Sequence, residues 1–407
     1  MRQLGGNRAG EMRLTRFLRN EAVTVDEMAA AAAARTAERC VGRPVLALQD
    51  TTVVKSEGGG GLYLHAVLAV DADDGAILGL MHACFLSRSE GRRWQRVSRP
   101  VTTKESRRWL DGADRAAAIG AGATRVTVIA DRESDIFAAF ARRPATTDLV
   151  VRAAQDRCLD DGGRLFGQAD ALPEAGRAKL DLPARPGRPA REAVLAVRFM
   201  PVGLARPSGA RWAGLPRSVG LTLVDVREVD PPPGEDVHWR LLTTLPVADA
   251  AKAFAIADLY RRRWAIEQLF RTLKTQGFDI EDLRIGEDAP RTRLIMAALV
   301  AAVTVQQLVH ARDGAVGQEP LRPITDALDP NDLPLIEALC KTLEGKTDRQ
   351  KNPHPKGSLA YAAWVCARLG GWTGYYGKPG PIVMLRGWLE FQAVKRGATL
   401  LASHINV

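Results

Sequence analysis

Two short apolar runs, each ending on an aspartate, constrain this chain more than any other feature. Val45-Leu-Ala-Leu48 leads into Gln49-Asp50-Thr51-Thr52, and Arg125 to Ala130 leads into Asp131-Arg-Glu-Ser-Asp135. Short runs of branched apolar residues bounded by turn formers read as buried strands. Between them, Leu62 to Val70 and Ala76 to Leu86 predict two more strands of a meander, entered through a glycine turn at Gly58 to Gly61. Lys104 to Ile119 then predicts a charged helix. Strand, long helix, strand is the pattern of a mixed α/β sheet. Upstream, Thr24-Val-Asp-Glu27 is a capping box, whose hydroxyl and carboxylate satisfy the first free N–H groups of a helix running through the alanines to Cys40. Gly42 to Pro44 breaks that helix.

Composition shifts after Arg152. Residues 156 to 235 are rich in Pro, Gly and Arg, with β-like runs at Ala193 to Phe199 and Val219 to Val226. They read as a β-rich insertion closed by the strand Trp239 to Thr244. From Ala248 onward the pattern is helical, interrupted by polar breaks at Asp313 to Pro323 and Thr347 to Gly357. The longest apolar stretch, Leu294 to Val309, carries Thr304, Gln306 and Gln307 and reads as a buried helix rather than a membrane span. Met1 to Gly10 is polar, which argues against a signal peptide. The five cysteines, Cys40, Cys84, Cys158, Cys340 and Cys366, are scattered and form no CxxC pair, so they read as reduced core residues.

The chain has 407 residues, 46% hydrophobic and 26% charged, enough for two or three domains and unlike a disordered or collagenous chain. Its formal net charge of +10 favours an anionic partner such as nucleic acid. Charge alone does not separate nucleic acid from a membrane surface or an acidic protein.

Chemistry concentrates in Ile256 to Gly277. Read as one helix, positions i, i+3, i+7 and i+14 fall within about 60° of each other. Tyr260, Arg263, Glu267 and Lys274 take those positions, while Leu259, Ile266, Leu269 and Leu273 supply the buried stripe. By itself such a face is equally an array of solvated ion pairs. Asp50 and Asp131 change its weight. A carboxylate at the end of a buried strand is costly without a partner, and two Asp with one Glu offer the hard oxygen ligands that Mg²⁺ takes. Two such ions would serve phosphoryl transfer. Glu133 and Asp135 are rival carboxylates; Asp131 is preferred because it directly follows the rigid strand. His65 and His82 read as core histidines.

The Tyr260, Arg263, Glu267, Lys274 spacing resembles the YREK signature of DDE transposases of the insertion-sequence-4 family, which includes cut-and-paste enzymes of composite transposons. Leu48-Gln-Asp50-Thr-Thr52 is similar to that family's first-Asp motif and Ala130-Asp131-Arg-Glu-Ser-Asp-Ile136 to its second. Phe17-Leu-Arg-Asn20 and Ala367-Arg-Leu-Gly-Gly371 are similar too. The resemblance implies an α/β fold: an RNase H-like mixed sheet interrupted by the β insertion, with a helical C-terminal domain. Its divisions would be a short N-terminal helical region (1–40), the first part of the core (41–155), the insertion (156–247), the second part with the YREK helix (248–325) and a helical dimerisation domain (326–407). It implies Asp50, Asp131 and Glu267 as the catalytic, metal-binding triad for Mg²⁺, with Mn²⁺ able to substitute. Tyr260, Arg263 and Lys274 would grip phosphates. Trp239 would hold a flipped base during hairpin formation, though a core aromatic is an equal reading. Trp264 would support it or simply pack. Arg132 and Arg152 match positions that touch DNA, where a surface arginine is the ordinary alternative.

The implied partners are double-stranded DNA, as transposon ends and target, and a second copy of the chain on that DNA. No membrane is implied, and the location would be cytoplasmic, at the bacterial nucleoid. The implied reaction is nicking to free a 3′-OH, hairpin formation and resolution, then strand transfer. The chain departs from the pattern in two places. Only 49 residues precede Asp50, where the family carries a longer end-binding helical region, and Lys55 to Gly61 is short. A truncated, DNA-binding or dimerising inhibitor of a full-length enzyme is therefore the alternative, and another RNase H-like nuclease a second. Trp364, Trp372, Tyr375, Tyr376 and Trp388 are expected as exposed aromatics of the C-terminal stretch.

Overall fold

The computed structural model describes residues 8–55, 62–87, 106–183, 189–209, 214–233, 236–314 and 321–405. Two helices come first, α1 (Arg8–Arg19) and α2 (Val25–Cys40). The capping box forms: Thr24 Oγ1 accepts from the Glu27 N–H, and Glu27 accepts from the Thr24 N–H, both at 3.1 Å. Ala29, Ala32, Ala33 and Cys40 are buried along one side of α2. There Thr36 donates to the Leu80 carbonyl at 2.8 Å. That approach needs Gly79, where a Cβ would lie 2.2 Å from the Thr36 hydroxyl.

The strands are β1 (Pro44–Val54), β2 (Leu62–Asp71), β3 (Ile77–Ser87), β4 (Arg125–Ala130), β5 (Thr147–Arg152), β6 (Gly176–Leu182), β7 (Arg191–Ala205), β8 (Ser218–Glu228) and β9 (His238–Thr243). They make one nine-stranded sheet in the order β3-β2-β1-β4-β5-β9-β8-β7-β6. β1 runs parallel to β4, and β4 to β5; the remaining pairs are antiparallel. The parallel step from β1 to β4 requires a crossover, which includes α3 (Arg107–Ile119). The short helices α4 (Phe137–Ala141) and α5 (Leu165–Ala171) follow. The glycine turn expected at 58–61 lies outside the described residues. The strands of 156–247 do not stand apart, because β9 pairs with β5 and carries β8, β7 and β6 on the same sheet.

Side-chain alternation sorts the sheet into two cores. Leu46, Leu48 and Val54 of β1 and Ile129 of β4 face one layer; Val45, Ala47, Val126, Val128 and Ala130 face the other, beside α3, α4 and α5. The first layer is completed by α6 (Ala250–Arg261), α7 (Trp264–Lys274) and α8 (Asp288–Ala311). Asp50 shares the parity of Leu46 and Leu48, and Asp131 that of Ile129. Both aspartates therefore fall on the side of the sheet covered by α6 and α7.

The single helix expected over Ile256 to Gly277 is two helices. α6 ends at Arg261 and α7 begins at Trp264, with the junction drawn into i→i−3 bonds from Arg263 to Tyr260 and from Ala265 to Arg262. Three adjacent arginines leave the helix in three directions. Arg261 pairs with Asp258 at 2.8 Å, Arg262 donates to the carbonyls of Asp71 and Asp73, and Arg263 turns to Asp50 and Glu267. These tertiary anchors override helical propensity.

α8 is 24 residues long and apolar enough to span a membrane by composition. Here it is a core helix, as its Gln and Thr residues suggested. Gln306 donates to Thr272 at 2.6 Å, and Gln307 to the carbonyls of Ile77 and Asp326 at 3.0 and 2.8 Å. Beyond it lie α9 (Leu333–Leu343), α10 (Leu359–Leu369) and α11 (Pro381–Ile405). The C-terminal stretch departs from expectation at three of its five aromatics: Trp372 and Trp388 are only partly exposed and pack against the helical core. Trp364 is buried, because almost every residue of α10 is enclosed, whereas Tyr375 and Tyr376 are exposed on the turn before α11.

Candidate active site

Three elements bring the proposed chemistry together: the end of β1 supplies Asp50, the end of β4 supplies Asp131, and the first turn of α7 supplies Glu267. Arg263, at the break before α7, lies between two of them. Its Nη1 is 3.3 Å from Asp50 Oδ2 and its Nη2 2.5 Å from Glu267 Oε1. The side chains of Arg263, Asp50 and Glu267 are 14%, 17% and 28% exposed, so solvent screens these pairs only partly.

Asp50 also accepts from the Thr51 N–H at 2.7 Å. Burial pushes its carboxyl up to about 7, against the pull of Arg263 and the Thr51 N–H; Asp131 and Glu267 stand close enough to add to the rise. Burial opposes the Arg263 charge, but Tyr260, Glu267 and Asp50 around it raise its pKa. Asp131 caps a short turn by accepting from the Glu133 N–H at 2.9 Å. Among the described residues no three carboxylate, His or Cys side chains gather closely enough to ligate one ion. The place between Asp50 and Glu267 is filled by a guanidinium.

The two rival carboxylates have other work. Asp135 is fully enclosed, paired with Arg157 at 2.7 Å and accepting from the N–H groups of Ala154 and Gln155. Glu133 points outward to Arg108 at 2.6 Å. Arg108 also donates to Thr51 Oγ1 at 3.0 Å, and Thr51 meets His65 Nδ1 at 3.0 Å. His65 is buried with its ring edge-on to Trp109, and burial and Arg108 hold its pKa well below the usual value. It is a core histidine, as expected; His82 is half-buried, with burial lowering its pKa. Of the cysteines, Cys40, Cys340 and Cys366 are buried, whereas Cys84 is half-buried and Cys158 exposed. Cys158 opens outward because it lies in a loop bridge opposite Arg164, not in a core strand.

Beside the carboxylates is a cleft of about 870 Å³, lined by Arg152, Trp239, Tyr260, Arg263 and Trp264 and by the ends of β6 and β7. Trp239 and Tyr260 stand with ring centroids 6.0 Å apart. Tyr260 is buried, contrary to its expected place on an open polar face, because the helix break tucks it under Trp239. Arg152 is half-buried, and burial lowers its pKa; its Nη2 donates to the His238 carbonyl at 2.8 Å. Trp264 is 40% exposed at the rim of the cleft. Arg132 is exposed on the turn after Asp131. Lys274 stands apart from the cleft, donating to the Val53 carbonyl and lying 3.5 Å from Glu281.

Sequence reasoning passed over Arg108, Arg262 and the buried Arg291, which donates to the Lys55 carbonyl at 2.5 Å. Their partners lie far away in the chain, and no local pattern marks them.

The class of protein, a nucleic-acid-processing enzyme with an α/β sheet, follows from a family match. The family model for the transposase DDE domain matches residues 63–303, from β2 into α8, and the chain belongs to that family. The matched span includes Asp131 and Glu267 and begins after Asp50. A transposase domain implies DNA as the substrate.

Proposed function

We propose that this transposase cuts and rejoins DNA at transposon ends in the manner of the insertion-sequence-4 family, with Asp50, Asp131 and Glu267 as its triad. The observation that carries the reading is the guanidinium between Asp50 and Glu267, which marks a place built for positive charge at the mouth of a basic, aromatic cleft. The order β3-β2-β1-β4-β5, with β1, β4 and β5 parallel, supports an RNase H-like core.

By type the donors suit a hard divalent cation, three carboxylates at two strand ends and a helix start, although with Arg263 between Asp50 and Glu267 they are not gathered into a ready ligand set. Asp50, Asp131 and Glu267 would hold Mg²⁺, or Mn²⁺ in its place. Such an ion, when bound, neutralises developing charge on phosphate oxygens and acidifies water. The rest falls to the chain's own side chains. Arg263 and Arg152 orient phosphates in the cleft, where a planar guanidinium can donate two parallel hydrogen bonds. Arg132, exposed beside Asp131, and Lys274, once released from the Val53 carbonyl and Glu281, would meet phosphates outside the cleft. Trp239, with Tyr260 behind it and Trp264 at the rim, offers an aromatic face that offsets the few kcal/mol lost on unstacking a base. In this scheme water opens one strand, the freed 3′-OH closes a hairpin on the other, water reopens it, and the 3′-OH joins target DNA. Each step exchanges one P–O bond for another. Residues 326–407 would join two copies on DNA; the exposed Leu389, Leu400 and Leu401 of α11 support that role.

The test is a cleavage and strand-transfer assay on labelled DNA carrying the element's ends, with Mg²⁺ or Mn²⁺, beside Glu267→Ala. Hairpin or joined products that disappear in the variant are expected. Wild-type protein that is folded and DNA-bound but yields no product from pre-nicked ends would overturn the reading.

A further inference from the structure

Arg263 borders two places at once. Its guanidinium spans Asp50 and Glu267, and the same side chain lines the cleft with Arg152, Tyr260 and Trp264, lying 5.6 Å from the centre of the Tyr260 ring. The break between α6 and α7 makes this possible. Arg262 is tied to the β2–β3 turn through the carbonyls of Asp71 and Asp73 at 3.1 and 3.0 Å, which anchors the junction while the Arg263 side chain borders both the carboxylates and the cleft. A divalent cation and this guanidinium would compete for the same carboxylate oxygens, since two positive centres there repel with little screening.

We propose that Arg263 is an internal counter-ion that competes with the divalent cation at Asp50 and Glu267 until a DNA phosphate in the cleft draws it away, so that metal and DNA bind with positive coupling. The inference rests on the triad reading above. A phosphate offers the guanidinium a two-pronged partner at least as suited to it as separate carboxylates. Its departure from Asp50 and Glu267 restores their charge for the ion. Coupling between two binding sites is reciprocal, so DNA raises metal affinity by the factor by which metal raises DNA affinity. One consequence is that a chain away from DNA is guarded against cutting.

Mn²⁺ binding to the full chain, followed by the electron paramagnetic resonance of free Mn²⁺, tests this without any turnover. Wild-type protein is expected to bind Mn²⁺ about tenfold more tightly when a short DNA duplex is present. Arg263→Gln is expected to bind Mn²⁺ without DNA about as tightly as wild type does with it, and to lose the DNA effect. Equal wild-type affinity with and without bound DNA would overturn the proposal, and this comparison stands even if the variant folds poorly. A folded Arg263→Gln that binds Mn²⁺ no more tightly than wild type in the absence of DNA would overturn it as well. Asp50→Asn separates the two levels of the argument. If it binds Mn²⁺ as well as wild type on DNA, the triad itself fails; if it loses binding while DNA and Arg263→Gln change nothing, only the coupling fails.

Discussion

At Asp50, burial and the need for charge pull in opposite directions. A carboxyl held near 7 is protonated in the folded chain over a range where the unfolded chain has already lost the proton. The folded state then binds more protons, so this group's contribution to stability is greatest in acid and falls as pH rises from about 4 to about 7. Asp50→Asn, which removes the ionisation and leaves Arg263 its Glu267 partner, is expected to melt above wild type at pH 8. The gain should shrink towards pH 5, as thermal melts at the two pH values would show. A neighbouring pair makes a second contrast. Asp135→Ala strands Arg157 inside the protein and is expected to cost about 3–5 kcal/mol in denaturant unfolding, while Glu133→Ala, on the surface, should cost under about 1 kcal/mol. Sequence alone preferred Asp131 by its place at a strand end; the structure adds that Asp135 and Glu133 are each engaged by an arginine. What sequence reasoning lacked was Arg157 and Arg108, whose roles arise only from chain crossings.

Elements were legible in proportion to how strongly their own residues specify them. The capping box of α2, the apolar runs of β1, β2 and β4 and the buried α8 all carry local signals, and each stands where its pattern predicted it. β6 was missed although Arg177 to Leu182 alternates polar and apolar residues, because it is short, only Leu180 is buried, and it lies within a stretch rich in Pro, Gly and Arg. The α6–α7 break was missed for the opposite reason: its local pattern is an unbroken helix, and the force that splits it comes from Asp50, Asp71 and Asp73. Close packing is likewise invisible in sequence. Gly387 on α11 lies so near α10 that a Cβ would fall 1.6 Å from the Cys366 carbonyl oxygen. Gly387→Ala should therefore force the two helices apart and destabilise the chain by about 1–3 kcal/mol, despite alanine's better helix propensity. Chemical denaturation of the variant would measure it.

Distant parts of the molecule are also tied together by a few nearly enclosed ion pairs. Arg322 reaches from beyond α8 to the β2–β3 turn, with Asp71 and Asp74 both at 2.6 Å and all three side chains nearly enclosed. Arg322→Ala leaves two buried aspartates short of their main cation and is expected to cost about 3–5 kcal/mol. Because Arg262 grips the same turn, the loss should also loosen the junction before Arg263, and limited proteolysis near 262 would report it. The sheet has a different weak point. β5 and β9 are joined by only three paired positions, Val150 with Thr243, Val151 with Leu242 and Arg152 with Leu241, whereas β7 and β8 share eleven. Within the sheet, β6 to β9 join the rest through that short seam, which bonds from Thr243 and Thr244 to Leu149 and the packing of α6 across both parts reinforce. The amide protons of residues 150 to 152 are accordingly expected to exchange with solvent ahead of those in β1 and β4, as hydrogen exchange would measure. Opening of that seam would carry Trp239 away from the acidic strand ends together with its strands, and the aromatic face proposed for an unstacked base would go with it.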